Sequence, residues 1–117
     1  GVLEQTVRAV CAQAGVAPER VRVWLGPCIG PDAFEVGDDV RDAFSAEGYF
    51  KPHPLRPHKW LADLAGLARF RLQALGVVAV AGNDSSQAWC TVSQQSRLFS
   101  SRRDSTTGRF AVCIWRT

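Results

Sequence analysis

Several kinds of signal are missing from this chain of 117 residues. No apolar stretch approaches the roughly 20 residues that span a bilayer, and no charged segment followed by a hydrophobic one opens the sequence. The four cysteines stand far apart without a Cys-x-x-Cys pair. These absences argue against a membrane protein, a zinc knuckle and a dense disulfide framework. We therefore expect a soluble, cytoplasmic protein with reduced and mostly buried thiols.

A large net charge of either sign is also missing. The net charge is +3, and the basic residues are dispersed along the chain rather than collected in one block. Such a distribution gives little support for a nucleic-acid partner, although small anions remain candidate ligands. A hydrophobic fraction of 46% with 21% charged residues is ordinary for one globular domain that can bury a core. We expect neither a nucleic acid nor a membrane as partner.

Apolar residues at helical spacing predict three helices. The predicted helices cover residues 3–14, 38–44 and 59–75, and glycines close them at Gly15, Gly48 and Gly76. No Ser, Thr, Asp or Asn stands ahead of the first helix to cap it. We therefore expect the chain to begin within a longer protein.

Short apolar or β-branched runs predict strands between these helices. The predicted strands are Val21–Leu25, Val77–Ala81 and Trp89–Val92. The first of them leads into Gly26-Pro27-Cys28-Ile29-Gly30-Pro31, where two Gly-Pro steps fix tight turns. The alternation of helices and strands predicts the α/β class.

Three prolines between residues 49 and 57 predict an irregular surface connection rather than a helix or strand. His53 and His58 lie at this connection, five residues apart, with no Cys, Asp or Glu between them. A metal site built from these two histidines alone would lack ligands. We interpret both as loop residues.

Two further features, Cys28 and the pair Asp38 and Asp39, can be interpreted either as reactive groups or as structural residues. Cys28 is either a reactive thiol or a small packed residue, and no histidine lies near it in the sequence to lower its pKa. Asp38 and Asp39 are either a metal-binding or acid–base pair, or carboxylates that complement the dipole at a helix start. The helix start explains the pair without any chemistry.

The C-terminal run from Leu98 to Trp115 has apolar ends and a middle rich in hydroxyls and arginines. We predict a strand, a loop turned by Thr107-Gly108, and a second strand with alternating apolar residues, namely Phe110, Val112 and Ile114. The loop carries Arg102, Arg103 and Arg109 among several hydroxyls, a combination suited to binding phosphate or carboxylate. Alternatively it is a solvated hairpin tip in which Arg103 and Asp104 offset each other's charge.

Three segments together resemble a known family. They are GPCIGPDAFEVGDDV (26–40), KWLADLAGLARFRLQALGV (59–77) and CTVSQQSRLFSSRRDSTTGRFAVCIW (90–115). They look like the second half of the laccase-domain, or multicopper polyphenol oxidoreductase, proteins, which are now regarded as purine nucleoside phosphorylases. The family's proteins are about twice this length. The resemblance therefore implies a layered α/β sandwich of which residues 1–117 form the C-terminal half.

The resemblance also implies a metal, zinc or copper, held by two histidines and one cysteine. These ligands belong to motifs of the family's first half, so we expect no metal ligand and no catalytic residue in this chain. It implies that Arg102, Arg103 and Ser100 bind the substrates, a purine nucleoside and phosphate. Small departures from the family pattern at Val92, Ser101 and Phe110 affect the shape of the pocket.

The implied reaction is metal-dependent phosphorolysis of adenosine or inosine to the base and ribose 1-phosphate, with adenosine deamination as a further activity. Two alternatives are a copper-dependent polyphenol oxidase, whose copper ligands this chain does not supply, and a non-enzymatic binding module. We expect the isolated chain to be inactive, to hold no tight transition metal, and to associate with itself or with the missing N-terminal half. The oligomeric state, including a homo-oligomer, is left open.

Overall fold

The computed structural model describes residues 1–44 and 48–114 of the chain. Both helices and strands are present, with one parallel and one antiparallel sheet, which confirms the α/β class. The helices are α1 (Val2–Ala14), α2 (Asp38–Ala43) and α3 (Leu64–Ala74), and the strands are β1 (Arg22–Leu25), β2 (Glu35–Gly37), β3 (Phe50–Pro52), β4 (Lys59–Ala62) and β5 (Ala79–Gly82). Single turns of 3₁₀-helix lie at Pro18–Arg20 and Gln87–Trp89.

The parallel sheet consists of β1 and β5, paired from Arg22 opposite Ala79 to Leu25 opposite Gly82. Both strands are predicted by the sequence, although β5 lies slightly further along the chain than the apolar run suggests. The buried core next to them contains Val7 from α1, Leu72 from α3 and Val77. The two helices thus cover one face of the parallel pair, while alternate residues of both strands stay exposed on the other face.

Helix α1 begins and ends as its sequence predicts. No side chain caps its first turn at Gly1, and Gly15 adopts the left-handed conformation with φ of 63°. Glycine takes this conformation without steric cost, and the Val16 N–H then donates to the Cys11 carbonyl. None of the helices in the described part of the chain is long and apolar enough to cross a membrane.

The antiparallel sheet has the order β2-β4-β3 and corrects two predictions. Lys59–Ala62 forms strand β4 rather than the first turn of a helix, because it pairs with β2 and β3. Helix α3 begins only after Asp63, which caps it by accepting a hydrogen bond from the Gly66 N–H. Residues 50–52 form strand β3 within the segment predicted to be irregular. Pro52 fits there because β3 is an edge strand, where a missing N–H is tolerated.

Helix α2 starts with Asp38 and Asp39 in its first turn, as predicted, but ends earlier than predicted. Its last residue is Ala43, and Phe44 is already extended while its N–H donates to the Arg41 carbonyl. The predicted closing residue, Gly48, has φ of 91° and lies beyond the helix. Residues 45–47 fall outside the described part of the chain.

The predicted C-terminal hairpin is wrong for the described residues. Leu98 and Phe99 lie in no strand, and neither do residues 110–114; Trp115 is outside the described range. The strand predicted over 89–92 is also wrong. The backbone of Cys90 pairs with that of Cys28 in a single parallel β-bridge, which is not long enough to be a strand. Alternating apolar residues need a neighbouring strand to become a sheet, and in the described part none pairs with 110–114, where Ile114 is 94% exposed.

Candidate functional site

The arginine-rich loop is a tight turn closed by Ser100. The Ser100 hydroxyl accepts a hydrogen bond from the Arg103 N–H at 3.2 Å, and the Ser100 carbonyl accepts one from the Asp104 N–H at 3.0 Å. Ser100 is only 5% exposed. A serine that bonds the backbone three residues ahead stabilises such a turn, so the turn follows from the local sequence.

Arg103 directs its guanidinium into the protein. Its Nη1 donates to the carbonyls of Thr91 and Val92 at 2.7 and 3.1 Å, and its Nη2 donates to the Leu98 carbonyl at 3.1 Å. Nε and Nη2 both donate to Asp104 Oδ2, at 3.0 and 2.8 Å. These five bonds equal the number of N–H donors that a guanidinium carries. Arg103 therefore ties three separate points of residues 91–104 together.

Arg102, its neighbour in sequence, faces outward. One hydrogen bond runs from its Nη1 to the Glu35 carbonyl at 3.1 Å, and its guanidinium carbon lies 5.5 Å from the centre of the Phe34 ring. These two contacts place the charged group against β2. Most of its donors have no partner among the described residues, so they remain available to an anion.

A cavity of about 340 Å³ opens beside this turn. Its walls include Ser100, Arg102 and Arg109, together with the rings of Phe99 and Phe110. The structure thus brings two of the three predicted substrate-binding residues to one cavity, whereas Arg103 is not among the lining residues. The volume lies at the lower end of the range of roughly 300–1,000 Å³ typical of small-molecule sites.

A buried asparagine organises the loops at the ends of β1 and β5. Asn83, which is 2% exposed, donates from Nδ2 to the Gly26 carbonyl at 3.0 Å and to Cys28 Sγ at 3.3 Å. Its Oδ1 accepts from the Ser85 N–H at 2.9 Å. The sequence suggests only a polar turn here, because nothing local shows that a side chain from one loop fills the other.

Arg69, in α3, forms hydrogen bonds to the end of β5 and to the loop that follows it. Its guanidinium donates to the Asn83 carbonyl at 2.8 and 3.2 Å and to the Val80 carbonyl at 3.1 Å. It thereby satisfies carbonyls at the end of β5 that the two-stranded sheet leaves open. The sequence gives no sign of this role for Arg69 beyond a charge within a largely apolar helix.

Cys28 and Cys90, whose backbones form the single β-bridge, have free thiols in different surroundings. Burial raises the pKa of Cys28, an effect only partly offset by its hydrogen bond from Asn83. Burial also acts to raise the pKa of Cys90, but hydrogen bonds from Ser93 and from the Gly30 N–H outweigh burial and lower it. A raised pKa disfavours the thiolate, which supports the interpretation of Cys28 as a packed residue.

All four cysteines are free thiols, and they are not all covered. Cys90 is buried, Cys11 and Cys28 are half-buried, and Cys113 is exposed. The expectation of mostly buried thiols therefore does not hold for Cys113, which lies in the segment without regular structure.

Both histidines are occupied by local contacts. His53 Nδ1 accepts from the N–H groups of Leu55 and Arg56, each at 3.1 Å, and so organises the proline-rich turn. His58 Nδ1 lies 3.2 Å from Asp38 Oδ2. The Trp60 indole donates to Asp38 Oδ1 at 2.7 Å, and this bond, with the nearby His58, lowers the pKa of Asp38.

No three His, Cys, Asp or Glu side chains converge on a point anywhere in residues 1–44 and 48–114. Zinc and copper sites in proteins use three or four such ligands. The described residues therefore do not by themselves fit the metal that the family resemblance implies.

Comparison with known proteins gives consistent results. A family model described as multi-copper polyphenol oxidoreductase laccase matches residues 1–117. The chain is 48% identical to a purine nucleoside phosphorylase of Pseudomonas aeruginosa and 45% identical to one of Escherichia coli strain K12, over 98% of its own length in each case. It covers 46% and 45% of those proteins, so the chain spans about half the length of the curated relatives it matches.

Solved structures also match this chain over less than half of their own length. A Neisseria meningitidis protein superposes with a TM-score of 0.73 at 38% identity, over 89% of this chain and 43% of that protein. The protein YlmD from Geobacillus stearothermophilus superposes with a TM-score of 0.72 at 26% identity, over 89% of this chain and 39% of that protein. The fold described above is therefore found within larger proteins.

Proposed function

The chain belongs to the multi-copper polyphenol oxidoreductase laccase family, and on that premise we propose that it forms the C-terminal half of a purine nucleoside phosphorylase. Two relatives with 48% and 45% identity carry that name, which supports the proposal. The reaction joins phosphate to C1′ of adenosine or inosine. The bond from C1′ to the purine nitrogen breaks, and the base leaves with the electron pair and takes up a proton.

We propose that Arg102 binds the phosphate in the cavity beside the turn. The observation that carries this assignment is an exposed guanidinium with unused donors at the wall of a cavity of about 340 Å³. A guanidinium can hold two phosphate oxygens at once and so fix the direction in which a third oxygen approaches C1′. Its charge also stabilises the negative charge that shifts during the transfer.

Ser100 and Arg103 support this site in a different way. The assignment of Arg103 to substrate binding stays a prediction, and its five hydrogen bonds to protein oxygens favour a role in holding the turn. Ser100 lines the cavity but also accepts the bond that closes the turn. We propose that both position Arg102.

The proposed metal, zinc or copper, would be bound by residues outside this chain, since the described residues offer no converging set of ligands. No step assigned to Arg102 passes through that metal. Deamination of adenosine is a second proposed activity of the complete protein. Here the complete protein means this chain joined to the remainder of a family-length sequence.

The exposed apolar residues near the end of the chain support a partner half. Val112 and Ile114 are 61% and 94% exposed, and with Trp24, which is 49% exposed, they line a groove of about 840 Å³ beside β1. We propose that the other half covers this groove. The isolated chain should then self-associate in sedimentation experiments, and a monodisperse, cooperatively melting monomer would contradict the proposal.

The activity is tested by steady-state phosphorolysis of adenosine and inosine at varied phosphate concentration in the complete protein. Arg102→Lys should lower kcat/KM for phosphate by roughly ten- to a hundredfold, because an ammonium cannot reproduce two parallel bonds. Arg97→Lys is the matched control, since the Arg97 side chain is exposed and has no hydrogen bond to a described residue. Equal phosphate dependence in both variants would overturn the role of Arg102.

The family's description favours one competing function, the oxidation of phenols. Copper-dependent oxidation of a diphenol without any phosphorolysis would replace the proposed activity by an oxidase. Binding of a nucleoside without turnover would instead indicate a non-enzymatic binding module. Both measurements use the same preparation of the complete protein.

A further inference from the structure

Arg109 lies at the same cavity as Arg102, but the proposed function gives it no role. It is exposed, it lines the cavity, and its side chain forms no hydrogen bond or ion pair with a described residue. The guanidinium is therefore a fixed positive charge that residues 1–44 and 48–114 leave unpaired.

The backbone next to Arg109 is held close to an aromatic ring. A Cβ atom placed on Gly108 would lie 2.7 Å from Cζ of Phe99, much closer than atoms pack, so any larger residue there would displace the ring. Phe99 and Phe110 line the same cavity as Arg109. Phe99 is 52% exposed and Phe110 is 45% exposed, so their rings shield the charge of Arg109 from water only in part.

Two acidic side chains close to this turn are already paired. Asp104 is bonded to Arg103 at 2.8 Å, and Glu35 is bonded to Arg56 at 3.2 Å. No acidic residue is among those lining the cavity. Two guanidinium groups thus share one cavity that has no carboxylate of its own among the described residues.

We infer that Arg109 is a second anion-binding residue, which together with Arg102 holds inorganic phosphate as a dianion. The inference rests on the proposed function for the identity of the anion. Two guanidinium groups match two negative charges and supply more donors than one arginine can, so a doubly charged oxyanion binds more tightly than a singly charged one. The phosphate then lies between the two arginines, which share three of its oxygens and leave the fourth free to react.

Calorimetric titration of the complete protein with inorganic phosphate tests the inference directly. Arg109→Gln should raise the phosphate Kd by roughly ten- to a hundredfold, and Arg109→Lys should raise it less because one charge is kept. Arg97→Gln, the matched control, should stay within about twofold. Sulfate should compete with phosphate for the wild-type site, whereas formate at equal ionic strength should not.

Melting curves and turnover distinguish the possible outcomes. A folded Arg109→Gln protein that binds phosphate like the wild type overturns the inference, and so does competition by formate equal to that by sulfate. Wild-type phosphorolysis with an unchanged KM for phosphate in Arg109→Gln and Arg109→Lys overturns the inference while keeping the proposed function. Loss of phosphate binding in Arg109→Gln, in a protein that never shows phosphorolysis, supports the inference and overturns the proposed function.

Discussion

Two regions of this molecule are held together in different ways. The helical layer, which comprises α1, α3, β1 and β5, packs around apolar side chains that are fully buried, such as Leu72 and Val77. The C-terminal segment, residues 90–114, contains no regular helix or strand in its described residues. Its turn depends on the polar bonds of Arg103 and Ser100.

The difference shows how function and stability are divided in the chain. Burial of apolar area stabilises the helical layer without regard to direction, so many side chains share the task. Hydrogen bonds to carbonyls depend on direction, so a single guanidinium can fix the shape of the C-terminal turn. The cavity with Arg102 and Arg109 is built on the region where one side chain sets the geometry.

The largest expected effect is on the helical layer. Leu72 is fully buried between α1 and the parallel strands, so Leu72→Ala should lower the free energy of unfolding by about 2–5 kcal/mol. Leu55→Ala is the control, because Leu55 is 87% exposed and its truncation should change stability by no more than about 0.5 kcal/mol. Urea denaturation of the complete protein measures both. Equal losses would show that the core is not where the structure places it.

Arg103→Lys should have the next largest effect. Lysine cannot reproduce a planar set of five donors, and the loss of bonds from a charged group costs about 1.5–3 kcal/mol. We expect lower stability and faster hydrogen exchange in residues 91–104.

Arg102→Lys provides the comparison. The Arg102 side chain is exposed, so this substitution should leave stability unchanged while it lowers kcat/KM for phosphate. A normal melting temperature with a raised KM for phosphate in Arg103→Lys would restore Arg103 as a direct substrate contact.

A smaller effect is expected at the contact between α1 and α3. The hydrogen bond from Arg71 to Glu4, at 2.8 Å, lowers the pKa of Glu4 from its usual value near 4.5 to about 2. A carboxyl whose pKa is lower in the folded state stabilises the fold above its usual pKa, and this stabilisation is lost as the pH falls towards 2. Glu4→Gln should therefore reduce the melting temperature at pH 7 but not near pH 2.

Glu19→Gln serves as the control for that experiment, because Glu19 is exposed and has no ion-pair partner among the described residues. A pH-independent difference between Glu4→Gln and the wild type would mean that the contact does not depend on the charge of the carboxylate.

The smallest effect on stability is expected for Gly108→Ala. The new methyl group would displace the Phe99 ring, which is 52% exposed and can swing away, so stability should change by no more than about 0.5 kcal/mol. The cavity wall would move with the ring, so the KM for phosphate should rise severalfold. Gly15→Ala should show the reverse. Alanine is strained in the left-handed conformation of Gly15, so stability should fall while the KM for phosphate stays unchanged.

The helical layer could be predicted closely from the sequence, and the antiparallel sheet could not. The apolar spacing of α1 and its closing Gly15 are local signals, so the prediction was confirmed. Residues 59–62 fit the helical stripe of α3 equally well, and only their pairing with β2 and β3 makes them a strand. The Asp63 cap is a local signal that would have located the true start of α3.

Residue types together with the family resemblance pointed to Arg102, Arg103 and Ser100 as substrate-binding residues, and that assignment stays a prediction. The structure places Arg102 and Ser100, but not Arg103, at the wall of one cavity. The sequence could not separate Arg102 from Arg103, because two adjacent arginines have the same chemistry and differ only in the oxygens that surround them. Asn83 and Arg69 were missed for a similar reason, since their partners lie far away in the sequence.

The sequence by itself determined the α/β class, the helix α1 and the parallel strands, because apolar periodicity and glycine positions act over a few neighbouring residues. Only the tertiary structure decided which arginine holds the turn and which faces the cavity. That choice depends on carbonyls of Thr91, Val92 and Leu98, which meet Arg103 only after the chain has folded back. Hydrogen bonds require partners within about 3 Å, and sequence order does not specify that distance.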